Sequence, residues 1–281
     1  MASFIPRSEN ERAHLLEQLQ GLSVTMLKAV TIAMKVRSPK TKLSFAELAG
    51  GCLAFSGNDV PLTRAIGVGT AGPVSEEEVD SVESFYMSRD SDVRIVVSER
   101  TNSSLPTMLR SRGYRSDDFM QNWWLRLQEA TAPPMSGDIE IVRAGRTQAD
   151  AWARTVAAGF AEEKSAVDEK TIPQRVVDTF YCLGFADGAQ PFFAKRNGII
   201  AGGGVLHIIG ETASIRTTSC RLQHRNKGVQ IALLTARLET AIKAGCRFAF
   251  SSTDQPGASS RNLQKFGFNT LSTSFTMSLS H

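Results

Sequence analysis

The chain has 281 residues, 42% of them hydrophobic and 21% charged, with a formal net charge of +4. That is enough apolar material for one large domain or two ordinary ones, and it excludes a disordered composition. The positive charge is dispersed without a Lys/Arg run, so no nucleic-acid partner is expected; mild attraction for an anionic small molecule suits the balance better.

The N-terminus, Met1-Ala2-Ser3-Phe4-Ile5-Pro6, leads into a mixed-charge helical run rather than a signal peptide. Lys28 and Lys35 interrupt the apolar stretch 22–36. No uncharged run reaches the roughly 18 residues that a membrane helix needs, so no membrane partner is expected. A helix with an acidic start is predicted over 75–89, a strand over 93–98 and a short helix over 105–112, closed by Gly113-Tyr114. Trp123-Trp124 reads as part of a strand, with one ring inward and the other at an interface with the second half. The segment 130–137, with Pro133-Pro134, reads as a linker.

The second half begins with a strand at 139–142. A helix over 147–161 carries Trp152, Val156 and Phe160 on one face. A helix over 172–183 follows, then a hairpin turning at Asn197-Gly198. The returning strand, 199–209, contains Gly202-Gly203-Gly204, which marks either a bulge or a close backbone approach. A single strand is read over 211–222, a helix over 228–244 ending at Gly245, a strand over 247–253, a short helix over 259–266 and a last strand over 270–279.

The two halves share a register. An offset of 154 residues (267 − 113 = 154) places Leu109 on Leu263, Gly113 on Gly267 and Tyr114 on Phe268. An internal duplication is the reading. The boundaries are 1–130 for the first domain, 131–137 for the linker and 138–281 for the second.

The four cysteines, Cys52, Cys182, Cys220 and Cys246, form no CxxC pair, and the histidines are scattered. Neither a metal site nor a disulfide framework is expected, and free thiols suit a reducing, cytoplasmic location. The most informative stretch is Arg225-Asn226-Lys227-Gly228-Val229-Gln230, where a basic turn opens into a helix. Free N–H groups, the positive end of the helix dipole and two cations then meet at one point, which suits a phosphate or pyrophosphate. At the same offset the first half has Ala71-Gly72-Pro73-Val74 followed by Glu76, Glu77 and Glu78, which would repel an anion.

The loop 225–230 resembles the pyrophosphate loop of the GNAT N-acetyltransferase superfamily, Arg/Gln-x-x-Gly-x-Gly/Ala, with Gln230 departing from the usual small residue. The segment 256–268, carrying Ser259, Asn262 and the ending Lys265-Phe266-Gly267-Phe268, is similar to that family's later motif. Together they cover roughly 138–279; the first half fits only as a degenerate repeat. The resemblance implies an α+β fold of two GNAT-like units in tandem, each a mixed, mostly antiparallel sheet flanked by helices.

It also implies acetyl-CoA as co-substrate and no metal. The pantetheine arm would lie along Thr218, Cys220 and Leu222, the pyrophosphate on the N–H groups of Arg225, Asn226, Lys227, Gly228, Val229 and Gln230, and Ser252 and Asn262 would flank the far side. The family's acid tyrosine is replaced by Leu263, and its strand-borne glutamate falls near Ser214. Glu211, His207 and Asp254 are the titratable residues left as catalytic candidates. For individual residues the plainer roles weigh more: His207 as a satisfied core histidine, Cys220 as a small strand residue, Ser259 as the N-cap of its helix. Asn262 is evenly balanced between a cofactor contact and local backbone bonding.

The expected activity is transfer of an acetyl group from acetyl-CoA to the amine of a small molecule, by direct attack in a ternary complex. Two alternatives come from other classes: a non-catalytic sensor of CoA or acyl-CoA, and a nucleic-acid module, which the dispersed charge disfavours. Oligomeric state is left open, a homodimer among the alternatives.

Overall fold

The computed structural model describes residues 6–39, 43–58, 60–134, 137–162, 165–254 and 257–280. Met135 and Ser136 of the expected linker, and Pro256 at the head of the later motif, lie outside the described residues. In chain order the elements are α1 (Glu9–Arg37), β1 (Ser44–Leu48), β2 (Gly51–Phe55), β3 (Arg64–Ile66), α2 (Glu76–Met87), β4 (Val93–Val97), α3 (Ser104–Ser111) and β5 (Arg115–Arg126). Then come β6 (Ile139–Arg143), α4 (Ala149–Ala161), α5 (Gln174–Phe185), β7 (Ala189–Arg196), β8 (Ile199–Ile209), β9 (Thr212–Ser214), β10 (Thr218–Cys220), α6 (Val229–Lys243), β11 (Phe248–Thr253), α7 (Ala258–Lys265) and β12 (Asn269–Leu279).

Two compact units emerge, and neither is a consecutive half of the chain. The first comprises described residues within 6–122, with 252–254 and 270–280; the second comprises those within 123–251, with 257–269. β5 therefore begins in the first unit and ends in the second, and β12, the last strand of the sequence, belongs almost wholly to the first.

In the first unit, β1, β2 and β3 form an antiparallel meander, and β3 continues parallel to β4. β12 runs antiparallel to β4, with Phe275 opposite Val97 and Leu279 opposite Val93. Met277 of β12 sits in the core with Val79, Val82, Ile95 and Leu109. By length and hydropathy α1 meets the requirement for crossing a membrane. Its buried residues Leu15, Leu19, Leu22, Met26, Val30 and Met34 recur at helical spacing, and the helix packs on β2, the pattern of a core helix. Ser8 caps it by accepting from the Glu11 N–H at 3.1 Å.

In the second unit the strand order is β11-β9-β8-β7-β6, with β10 paired to β8 off the main path. All pairs are antiparallel except β11 with β9. The hairpin at Asn197-Gly198 has positive φ at both positions (51° and 77°), as a type I′ turn requires. The stretch read as one strand over 211–222 is two, β9 and β10, broken at 215–217, where Thr217 takes a φ of 56°. The Ile215 N–H still donates to the Phe250 carbonyl at 3.0 Å, the last such bond between these strands. β10 then pairs with β8 alone, so β10 and β11 diverge.

Both readings for Gly202-Gly203-Gly204 are met: the three glycines allow close approach, and the register of β8 with β7 shifts at the start of the run, although β8 is continuous. A Cβ on Gly202 would lie 2.4 Å from the Ser219 carbonyl oxygen, one on Gly203 2.9 Å from a Val156 methyl, and one on Gly204 3.1 Å from the Arg237 guanidinium. The register with β7 shifts because Ala194 and Lys195 are consecutive but pair with Gly202 and Ile200, so Ala201 of β8, beside Gly202, is the extra residue of a bulge. Trp123 and Trp124 are both buried, at 3% and 1% exposure, in the second unit.

Candidate functional site

The helix α6 starts at Gly228, whose φ of 81° is open to glycine at little cost. No side chain caps it, and the first internal bond runs from the Ala232 N–H to the Gly228 carbonyl. The N–H groups of Gly228, Val229, Gln230 and Ile231 are therefore left without a helical acceptor, at the positive end of the dipole. They open on a cavity of about 670 Å³, lined by β10, by the turn 224–226, by Gly159 and Phe160 of α4, and by Ser259, Arg261, Asn262 and Lys265 of α7. A second cavity, about 420 Å³, adjoins Lys227, Gly228, Ile231 and Lys265. A cradle of unaccepted N–H donors beside Arg261 and Lys265 fits a diphosphate.

The equivalent helix start in the first unit is closed. There Ser75 Oγ accepts from the Glu78 N–H at 3.2 Å, and Glu78 accepts from the Ser75 N–H at 2.8 Å. That capping box and three glutamates in the first turn satisfy and neutralise the end that α6 leaves open.

Arg225 does not project into the cavity as a free cation. Its guanidinium donates to the carbonyls of Gly159 at 3.0 Å, Cys220 at 3.3 Å and Glu162. It thus ties the C-terminal end of α4 to the turn. Beside it Glu162, 1% exposed, accepts from Arg221 Nε at 2.9 Å, from the Val167 N–H at 3.1 Å and from the Leu222 N–H. Burial would raise its pKa, but the bonds from Arg221, Leu222 and Val167 win and hold it below the usual carboxylate range.

The expected cofactor residues divide into three groups. Thr218, Cys220, Arg225, Asn226, Gly228, Val229, Gln230 and Asn262 line the larger cavity, and Lys227 lines the smaller, its Nζ donating to the Gln223 carbonyl at 2.8 Å. Leu222 lies in a short 3-10 turn, its N–H held by Glu162. Ser252 belongs to the first unit, where its hydroxyl donates to Asn122 Oδ1 at 2.8 Å.

Asn262 bonds no local backbone; it donates to Gln230 Oε1 at 2.8 Å, while Gln230 Nε2 donates to Ser259 Oγ at 3.2 Å. Ser259 is not the N-cap of α7: Gly257 is, and Ser260 makes the reciprocal bonds there. Through these two bonds the side chain of Gln230 joins α6 to α7.

The catalytic candidates do not gather at the cavity. Glu211 is exposed in the turn between β8 and β9 and pairs with Arg247 at 3.1 Å. His207 is 2% exposed on β8, opposite Ser214. Burial pushes its pKa down to about 4; the Leu183 backbone opposes this and the charge of Arg216 reinforces it. Asp254 is exposed and belongs to the first unit. The cavity lining contains no carboxylate among the described residues, and no cluster of three His, Cys, Asp or Glu that could hold a metal occurs among them.

Several lining residues lie outside the expected set, Ser219 and Arg261 among them, and three of these have a clear structural role. Phe160 is 51% exposed rather than on the core face, and stacks on Phe180 with centroids 5.3 Å apart. Burial, then the charges of Lys227, Arg196 and Arg221, push the pKa of His224 down, with Glu162 opposing. Gly159 lets α4 approach β10, since a Cβ there would meet Ser219 Oγ at 2.6 Å; a glycine inside a helix was its signal.

The model of the acetyltransferase (GNAT) family matches residues 157–268. That stretch of the chain is similar to the family. Its fold is that of GCN5-related N-acetyltransferases. The Kribbella flavida enzyme of that description is similar at a TM-score of 0.63 and 14% identity, over 89% of this chain and 95% of its own. A tandem GNAT protein from the clavulanic acid biosynthesis pathway is similar at 0.55 and 14%, over 89% and 87%. A third, from Sphaerobacter thermophilus, is similar at 0.51 and 16%, over 67% and 59%. No curated protein matches the sequence. The match runs from the last turns of α4, at residue 157, through α7, the elements that build the larger cavity and its donor cradle.

Proposed function

We propose that the chain is an acetyl-CoA-dependent N-acetyltransferase acting on the amine of a small molecule, with the first unit a degenerate GNAT-like copy. The observation that carries this is the uncapped start of α6, with its unaccepted N–H groups opening on a basic cavity. Acetyl-CoA supplies the activated acyl group. Its diphosphate fits the N–H groups of Gly228 to Ile231, and Arg261 and Lys265 offset further negative charge. Its pantetheine arm fits beside β10, where divergence from β11 leaves main-chain groups free to bond an extended amide chain.

Transfer is read as direct. The amine nitrogen attacks the thioester carbonyl carbon, the C–N bond forms, the C–S bond breaks, sulfur leaves with the electron pair, and the amine proton passes through water. A covalent acyl-cysteine is disfavoured because burial pushes the Cys220 thiol up to about 11.

A second reading has its own support. Leu263 is 3% exposed in the core where the family's acid tyrosine stands, and the cavity lining offers no carboxylate base. Both features suit a CoA or acyl-CoA sensor. Titration calorimetry with CoA, followed by thiol release with a panel of amines, separates the readings. A flat titration on folded protein overturns both, and tight binding without turnover on any amine favours the sensor.

A further inference from the structure

The least expected side chain in the second unit is Arg237. It lies on the buried stripe of α6 with Leu233, Leu234, Leu238 and Ala241, and is 0% exposed. Its donors go only to neutral oxygens. Nε bonds the Leu233 carbonyl at 2.9 Å, Nη1 those of Val205 at 3.1 Å and Ile215 at 3.0 Å, and Nη2 the hydroxyl of Thr218 at 2.7 Å. No carboxylate pairs with it among the described residues. Burial pushes its pKa down to about 9, which leaves it charged at neutral pH. A buried cation without a counter-ion is costly, and a leucine in line with its neighbours would avoid the cost. Gly204 makes room for it, since any Cβ there would touch the guanidinium.

The cation sits at the break between β9 and β10 and holds the carbonyl of Ile215, where the strand turns away from β11. Arginine has no acceptor, so in its bond with Thr218 the hydroxyl oxygen accepts. The single hydroxyl proton of Thr218 must then point elsewhere, and Thr218 lines the cavity. A hydroxyl that accepts from a cation is a stronger donor through its own proton. We infer that Thr218 is a polarised hydrogen-bond donor for the thioester carbonyl oxygen, and that Arg237 is the positioning residue that fixes it in that role. A donor aimed where negative charge develops during attack lowers the barrier. The inference rests on the acyl-CoA reading of the cavity.

The test compares acetyl-CoA with CoA in titration calorimetry, and follows the infrared carbonyl stretch of bound acetyl-CoA labelled with carbon-13 at the carbonyl. Thr218→Val should lose about five- to tenfold more in acetyl-CoA affinity than in CoA affinity. The carbonyl stretch should move back towards its value in water, and Thr218→Ser should restore both. Arg237→Met should shift the stretch in the same direction although Thr218 is intact, and Arg237→Lys serves if that variant does not fold.

An unchanged stretch and an unchanged acetyl-CoA preference in Thr218→Val overturn the donor role. A fall in Tm with the stretch unmoved in the Arg237 variants overturns the positioning role. Failure of the wild type to bind either nucleotide overturns the acyl-CoA reading, and this inference with it; binding of both with no Thr218 effect overturns this inference alone.

Discussion

Asn262 of α7 donates to Gln230 of α6 at 2.8 Å, and this bond, with the one from Gln230 to Ser259, makes the residue that departs from the family pattern a strut between two helices. Gln230→Ala removes both bonds. The expected loss is about 1 kcal/mol, since each partner is partly solvated and a typical bond contributes about that much. Calorimetric Tm should fall by a few degrees, and CoA should still bind.

The uncapped glycine gives a sharper test. Gly228→Glu introduces a carboxylate at the cradle and also strains a residue held at a φ of 81°. Gly228→Asn carries the backbone strain without the charge, and Asn tolerates this region. Titration calorimetry should find CoA binding lost in the first variant and retained, somewhat weakened, in the second. Equal behaviour of the two would mean that charge at the helix start is irrelevant.

Arg225→Ala is expected to act on stability before it acts on binding. It deletes charge-assisted bonds to the carbonyls of Gly159, Cys220 and Glu162, at a cost of about 2–3 kcal/mol. Urea unfolding without nucleotide should show the full loss. A variant as stable as the wild type but weak for CoA would restore Arg225 as a direct phosphate ligand.

Acid should weaken the protein through His207. Its folded pKa is about 4 against 6.5 for an unperturbed histidine, so the unfolded chain takes up the proton first as pH falls. The neutral form's stability is whole above about pH 6.5 and is lost between there and about pH 4. From pH 7 to pH 5 the loss should be about 2 kcal/mol in the wild type. His207→Leu should show a much shallower dependence in urea titrations at the two pH values.

The parts of this fold that the sequence made legible are those in which chemistry is local. The basic turn into α6, the Asn197-Gly198 hairpin and the α7 motif each announce themselves within a few residues, because caps, turns and helix starts depend on near neighbours. Phe160 was misassigned because helical spacing alone put it with Trp152 and Val156, although α4 turns that position towards the cavity. The break between β9 and β10 was hidden because what holds it, Arg237, lies some twenty residues on in another element. Its signal was present: a charged residue four positions after Leu233 and four before Ala241, on an otherwise apolar stripe. The catalytic candidates were drawn from titratable residues near the right strands, and strand neighbourhood does not determine which face a side chain takes.

The pairing of β12 with β4 sets an order of events during synthesis. Phe275, Met277 and Leu279 complete a core whose other members, from Leu53 to Leu109, leave the ribosome far earlier. Until residues 269–279 have been made, β4 keeps an uncovered strand edge, a state exposed to aggregation. A premature stop after residue 268 would accordingly damage the opening half of the molecule more than the half in which the stop occurs.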